Sequence, residues 1–144
     1  MNPHRAQIES MVPQSGAMCL LDAVTHWDEA QLTCTSRAPE ANHPLARDGR
    51  VPAVAACEYA AQATAVHGAL TEPEPLPSPR SGLLASLVEV NLHETWFPAG
   101  GVTVVARLRS RSEGACMYAF EVRADSVRIA DGQLMVAFSA PRSA

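Results

Sequence analysis

Two side chains able to handle protons lie close together in this sequence. Glu58 is the single formal charge between Arg50 and Glu72, set in the small and apolar run VPAVAACEYAAQATAVHGAL. That run reads as a buried helix with one carboxylate inside it. A carboxylate carried into the interior loses water and must be paired, protonated or put to use. Burial is expected to raise its pKa, and a carboxyl held partly neutral can give up a proton near neutral pH. His43, in Asn42-His43-Pro44, stands shortly before the helix. An imidazole titrates close to working pH, so His43 and Glu58 form a candidate acid/base pair.

The rest of the chain must hold that pair in place. With 144 residues it is long enough for one proper core, and residues 1–144 are read as a single domain. A hydrophobic share of 47% is that of an ordinary globular protein. The net charge of −4 argues against nucleic acid as a partner. All 11 basic residues are arginine, which excludes a Schiff-base lysine and a phosphate-loop lysine. Cys19, Cys34, Cys57 and Cys116 are scattered in apolar stretches without a CxxC pair. They read as small core residues, and no metal site is expected. The polar start MNPHRAQIES has no apolar signal segment, so a soluble, cytoplasmic protein is expected. Residues 51–71 are long enough to cross a membrane, but eight are alanine and Glu58 is central, which disfavours that reading.

Residues 3–10 suggest a short helical turn or a loose arm. Met18 to Val24 reads as a first strand and Gln31 to Ala38 as a second, with Leu32, Cys34 and Ser36 on one face. Residues 39–50 are rich in turn formers. Pro52 suits the first turn of the helix, which is expected to end near Gly68. The proline-rich TEPEPLPSPRSG reads as a stiff surface connection. Beyond it the pattern is strands. LLASLVEVNLHETWF is long and apolar, and in VTVVARLRSR the residues Val102, Val104, Ala106 and Leu108 share a face opposite an arginine row. ACMYAFEVRAD and GQLMVAFSA complete the set, with Asp131-Gly132 as the expected turn before QLMVAFSA. Strands set apart from one helix indicate an α+β class, with an antiparallel sheet around a helix that lacks a charged face.

This order resembles a hotdog fold, and the local motifs resemble those of β-hydroxyacyl-acyl-carrier-protein dehydratases. The segment HPLARDGRVPAVAACEYAAQ is similar to that family's G-H-F-P, short loop, P-G and E-x-x-x-Q. His43-Pro44 stands for the histidine motif, Pro52-Ala53 for P-G, and Glu58 to Gln62 for E-x-x-x-Q. Val12 to Asp22 resembles the family's opening, where Pro-His leads into a hydrophobic strand ending in Asp. The similarity covers most of the chain and is nearest a divergent dehydratase branch linked to acyl-carrier-protein pathways such as aryl polyene synthesis. Four departures stand out: Asn42 replaces Gly, Phe is missing after His43, Pro-Ala replaces Pro-Gly, and Pro13-Gln14 replaces Pro-His. The loop from histidine to glutamate is also one residue longer.

The resemblance implies dehydration of a 3-hydroxyacyl thioester carried by acyl carrier protein or coenzyme A. His43 would be the base and Glu58 the acid, contributed by opposite subunits of a homodimer or higher even oligomer. The helix N-terminus would polarise the thioester carbonyl, with the Ala53 N–H as first candidate. Gln62, one turn after Glu58, would hold its carboxyl. No metal or organic cofactor is implied. Two other functions stay open: a hotdog thioesterase using Glu58 to activate water, and a non-catalytic acyl-binding partner of an active dehydratase. His67 is expected to be a helix C-terminal residue favoured by the dipole. The row Arg107, Arg109 and Arg111 reads as a solvated face, with an acidic carrier protein as the weaker alternative.

Overall fold

A computed structural model describes residues 2–12, 16–71 and 84–137. In chain order the elements are α1 (Arg5–Glu9), a 3-10 turn (Gly16–Met18), β1 (Ala23–Trp27), β2 (Gln31–Ser36) and a second 3-10 turn (Ala53–Ala55). Then follow α2 (Ala56–Leu70), β3 (Leu84–Leu92), β4 (Val102–Ser112), β5 (Ala115–Ala124) and β6 (Val127–Ala137). The strands form one antiparallel sheet in the order β1-β2-β4-β5-β6-β3. The expected proline-rich connection, apart from Thr71, and the Pro13-Gln14 pair lie outside the described residues.

The sheet follows its period-2 pattern. Leu32, Cys34 and Ser36 of β2 face inward, as do Val102, Val104 and Ala106 of β4, and β5 alternates strictly. Their shared face packs on α2, which touches β2, β4, β5 and β6. Ala56, Ala60, Ala63 and Ala65 let the helix lie close to the strands, and ten of its 15 residues are buried. This explains why it carries so little charge: an enclosed helix has no face on which solvation could offset the cost of burying polar groups. All four cysteines are buried free thiols. Arg107, Arg109 and Arg111 are exposed. Among the described residues, no helix is long and apolar enough to cross a membrane.

Three expectations are corrected. The first strand begins at Ala23 rather than Met18, because residues 16–18 form a 3-10 turn and Leu20 and Leu21 are buried without joining the sheet. The helix runs two residues past Gly68, closed by the Thr71 hydroxyl on the His67 carbonyl at 2.8 Å. Asp131-Gly132 is not a turn but lies inside β6; the hairpin turns at Asp125, whose φ is 49°. Gly132 pairs with Val90, just beyond the β3 bulge between Leu87 and Glu89, and a Cβ there would lie 2.0 Å from the Glu89 carbonyl oxygen. Glycine is needed for that close backbone approach, a second physical role for the residue that the turn signal mimics.

Candidate functional site

His43 is held by its own loop. Its N–H donates to the Glu40 carbonyl at 2.9 Å, and its carbonyl accepts from the Ala46 N–H at 2.9 Å. The following Pro44 narrows the backbone conformations open to it. The Leu45 N–H donates to the imidazole Nδ1 at 3.0 Å, and Nε2 lies 3.0 Å from the Tyr59 hydroxyl. A backbone N–H can only donate, so Nδ1 is the accepting nitrogen and the neutral ring carries its proton on Nε2. Burial pushes the His43 pKa below its ordinary value.

Tyr59 projects from the first turns of α2, stacks on His43 with ring centroids 6.0 Å apart, and meets Phe97 at 5.5 Å. Burial pushes its phenol up to about 12, against a lowering by a hydrogen bond with Ser36. Ser36 in turn donates to the Leu20 carbonyl at 2.5 Å, so its oxygen is left to accept from Tyr59. Behind Ser36 lies Asp22, which accepts from the Arg37 N–H at 2.7 Å and from Arg5 Nη1 at 3.0 Å. Burial would raise the Asp22 pKa, but the Arg37 N–H and guanidinium, helped by Arg5, hold it below the ordinary value. These groups line one cavity of about 380 Å³ that includes His43, Tyr59, Ser36, Asp22, Arg5 and Arg37.

Glu58 sits one residue before Tyr59 and so points about 100° away round the helix. It is half-buried rather than sealed, and it is not part of the cavity lining. Gln62 binds it with a fixed amide orientation. Its Oε1 accepts the Leu20 N–H at 2.8 Å, so its NH₂ group faces the Met18 carbonyl at 2.7 Å and Glu58 Oε1 at 3.1 Å. One buried glutamine thus ties the glutamate to the chain segment before β1. The Ala53 N–H donates to the Thr95 carbonyl at 2.9 Å, and the Phe97 N–H donates to the Val51 carbonyl at 2.8 Å. Residues 95–97 therefore cover the start of the helix. Of the four expected site residues, two engage each other, Glu58 and Gln62. His43 engages Tyr59, and Ala53 engages Thr95.

His67 is corrected. It is 0% exposed, with Nε2 2.8 Å from the Asp28 carbonyl and Nδ1 2.7 Å from the Tyr118 hydroxyl. Burial lowers its pKa, so the neutral ring prevails over the helix dipole that would favour the cation. Sequence reasoning also passed over Tyr59, Ser36 and Asp22. Tyr59 carried a signal: it is the one aromatic residue in an alanine-rich helix, next to the one charge. Ser36 carried none beyond its inward register. Among the described residues, no three His, Cys, Asp or Glu side chains are grouped to hold a metal ion.

A family model described as ApeP-like, ApeP dehydratase, matches residues 6–143. No curated protein matches the sequence. Among solved structures, the chain is similar to one in the dehydratase heterocomplex ApeI:P from Xenorhabdus doucetiae. The TM-score is 0.77 at 18% identity, over 92% of this chain and 91% of that one. A homologue of HP0420 from Helicobacter felis matches with a TM-score of 0.66 at 15% identity, over 98% and 93% of the two chains. A mutant thioesterase from Pseudomonas aeruginosa matches with a TM-score of 0.61 at 19% identity, over 95% and 96%. At these identities the likeness is one of fold, and the fold is the hotdog: an antiparallel sheet around one main helix.

Proposed function

The chain belongs to the ApeP-like dehydratase family, and on that premise we propose that it is a 3-hydroxyacyl thioester dehydratase. The reaction is the reversible loss of water to a trans-2-enoyl thioester. The acyl group is carried by acyl carrier protein or coenzyme A, His43 and Glu58 form the catalytic pair, and the protein works in the cytoplasm. The observation that carries this reading is the placement of His43 in a cavity against the helix that bears Glu58, its ring held by Tyr59, the residue after Glu58.

The pair is completed in a dimer. The edge position of β3 supports this, since among the described residues β3 pairs with β6 on one side only. It exposes Leu87, Val88 and Leu92 at 52%, 55% and 48%. An unpaired edge strand with exposed apolar side chains is a template for another strand. A second copy of this chain is the proposed partner. A second reading has specific support: the similar chain from Xenorhabdus doucetiae is described as part of a dehydratase heterocomplex. On that reading this chain pairs with a different dehydratase subunit and is itself the non-catalytic member.

The test is to incubate the purified protein with crotonyl and 3-hydroxybutyryl thioesters while following enoyl absorbance and free thiol in parallel. Interconversion without thiol release, lost in both His43→Ala and Glu58→Ala, is the expected result. Thiol release lost only in Glu58→Ala would make it a thioesterase instead. Activity that appears only after a second dehydratase subunit is added, and that survives both substitutions, would support the partner reading.

A further inference from the structure

We propose that Arg47 and Arg50 form a phosphate site that holds the phosphopantetheine arm common to coenzyme A and acyl carrier protein. This rests on the dehydratase reading and adds to it the place where the anionic end of the substrate is held.

The first observation is a pair of like charges. Arg47-Asp48-Gly49-Arg50 makes a two-residue hairpin. Asp48 and Gly49 have φ of 52° and 76°, and a hairpin turn with both central residues at positive φ favours Asp-Gly. Arg47 and Arg50 face each other across it and exchange both backbone hydrogen bonds, at 2.6 and 3.1 Å. Residues opposed in this way lie about 5.5 Å apart at Cα and carry their side chains on the same face. Two cations placed directly opposite each other cost stability. Both arginines are exposed, and among the described residues neither forms an ion pair with a carboxylate, that of Asp48 between them included. Other arginines are answered: Arg5 and Arg37 by Asp22, Arg123 and Arg128 by Glu121.

The second observation is that Arg50 is held in place. Its guanidinium lies 4.0 Å from the centroid of the Trp96 ring, and Trp96 is joined to Pro52 by a β-bridge. Stacking on the indole uses the face of the guanidinium and leaves its N–H edge able to grip two oxygens of a phosphate. An anion entering between Arg47 and Arg50 would turn their repulsion into two attractions.

The position fits the arm of a thioester carrier. The hairpin lies in the loop from His43 to α2, and Arg47 is four residues from His43, so their Cα atoms are at most about 14 Å apart. Pro52 opens the turn into the helix two residues beyond Arg50, and the positive end of the helix adds to the local field. A pantetheine arm separates its phosphate from its sulfur by a chain of amides. A phosphate held at the hairpin therefore leaves the thioester to reach toward the cavity that His43 lines. This is also the loop that is one residue longer than in the dehydratases the sequence resembles, so the site belongs to this chain's own variation.

The experiment measures binding by calorimetry on the full chain at low salt, with the butyl thioethers of pantetheine, phosphopantetheine and coenzyme A. These probes have no thioester carbonyl, so they report binding whether or not the protein is active. The wild-type protein should bind the phosphopantetheine thioether about tenfold or more tighter than the pantetheine thioether, as expected for hydrogen bonds to a charged group. Arg47→Gln and Arg50→Gln should each remove most of that preference. Arg47→Gln should also melt no lower than wild type, because it relieves the repulsion. Equal binding of the two probes by the wild-type protein overturns the proposal. So does a preference that survives in the double variant, or a clear fall in the melting temperature of Arg47→Gln, which would make the pair structural. Coenzyme A thioether bound no tighter than phosphopantetheine thioether supports the site with a carrier protein as the source; tighter binding supports it with coenzyme A. A protein that prefers phosphate in this way yet dehydrates no 3-hydroxyacyl thioester would defeat the dehydratase reading and leave the phosphate site standing.

Discussion

The helix α2 carries a histidine–tyrosine pair near each end, and the two do different work. Near its start, His43 meets Tyr59; near its end, His67 meets Tyr118. In both, a backbone group decides where the proton sits. The Leu45 N–H occupies His43 Nδ1, so Nε2–H donates to Tyr59. The Asp28 carbonyl occupies His67 Nε2, so that nitrogen must donate and Nδ1 must accept from Tyr118. Both rings share the Nε2–H tautomer, yet one gives to its tyrosine and the other receives. The first pair lines a cavity, whereas the second is closed between α2, β5 and the β1–β2 turn. Residue type alone therefore does not distinguish a histidine that opens on a cavity from one sealed in the core; the surrounding backbone and the access to a cavity do.

The largest effect should come from breaking the sealed pair. His67→Ala removes a fully buried ring and leaves the Asp28 carbonyl and the Tyr118 hydroxyl without it. We expect a loss of about 3 kcal/mol in urea unfolding, the sum of a cavity and unmade hydrogen bonds. His43→Ala should cost less than about 1 kcal/mol, since the ring is only half-buried and lines a cavity, while removing the dehydration. A His67→Ala protein as stable as wild type would erase the distinction between the two pairs.

Tyrosine substitutions sharpen the contrast at a smaller scale. Tyr118→Phe leaves the His67 Nδ1 lone pair buried without a donor and should cost about 2 kcal/mol. In Tyr59→Phe the ring packing remains and His43 keeps a cavity in which water can accept its proton, so about 1 kcal/mol is expected. Equal losses in the two variants, measured by the same unfolding method, would mean that the cavity gives the His43 pair no relief.

The smallest effect is a dependence on pH. Burial depresses the pKa of both histidines below the ordinary value of 6.5. Below that value the unfolded chain binds protons that the folded chain refuses. Stability is therefore fully present above about pH 6.5 and falls as the pH drops toward the depressed folded values. Unfolding measured from about pH 7.5 down to about pH 5, on either side of the ordinary histidine value, should show this decline. It should be reduced by His67→Gln, and less by His43→Gln. An identical slope in all three proteins would assign the acid sensitivity to other groups.

Much of this molecule is legible in short windows of sequence. A glutamate followed four residues later by a glutamine puts both on one helix face, and Glu58 and Gln62 do meet at 3.1 Å. Alternation along β2, β4 and β5 foretells the inward faces, because successive side chains of a strand point to opposite sides. Pro52 caps the 3-10 turn that leads into α2 at Ala56, and the helix's lack of charge announces an enclosed position. These features depend on neighbours a few residues apart, whose geometry the chain sets locally. What tertiary structure decided lies at longer range. Gln62 finds its second partner 42 residues away at Leu20, and His67 finds Tyr118 51 residues away. The same holds for Gly132, whose role comes from β3 rather than from Asp131 beside it. Whether a polar side chain meets solvent, a cavity or a distant carbonyl is set only when the sheet closes on the helix. That closure is what separates His43 from His67.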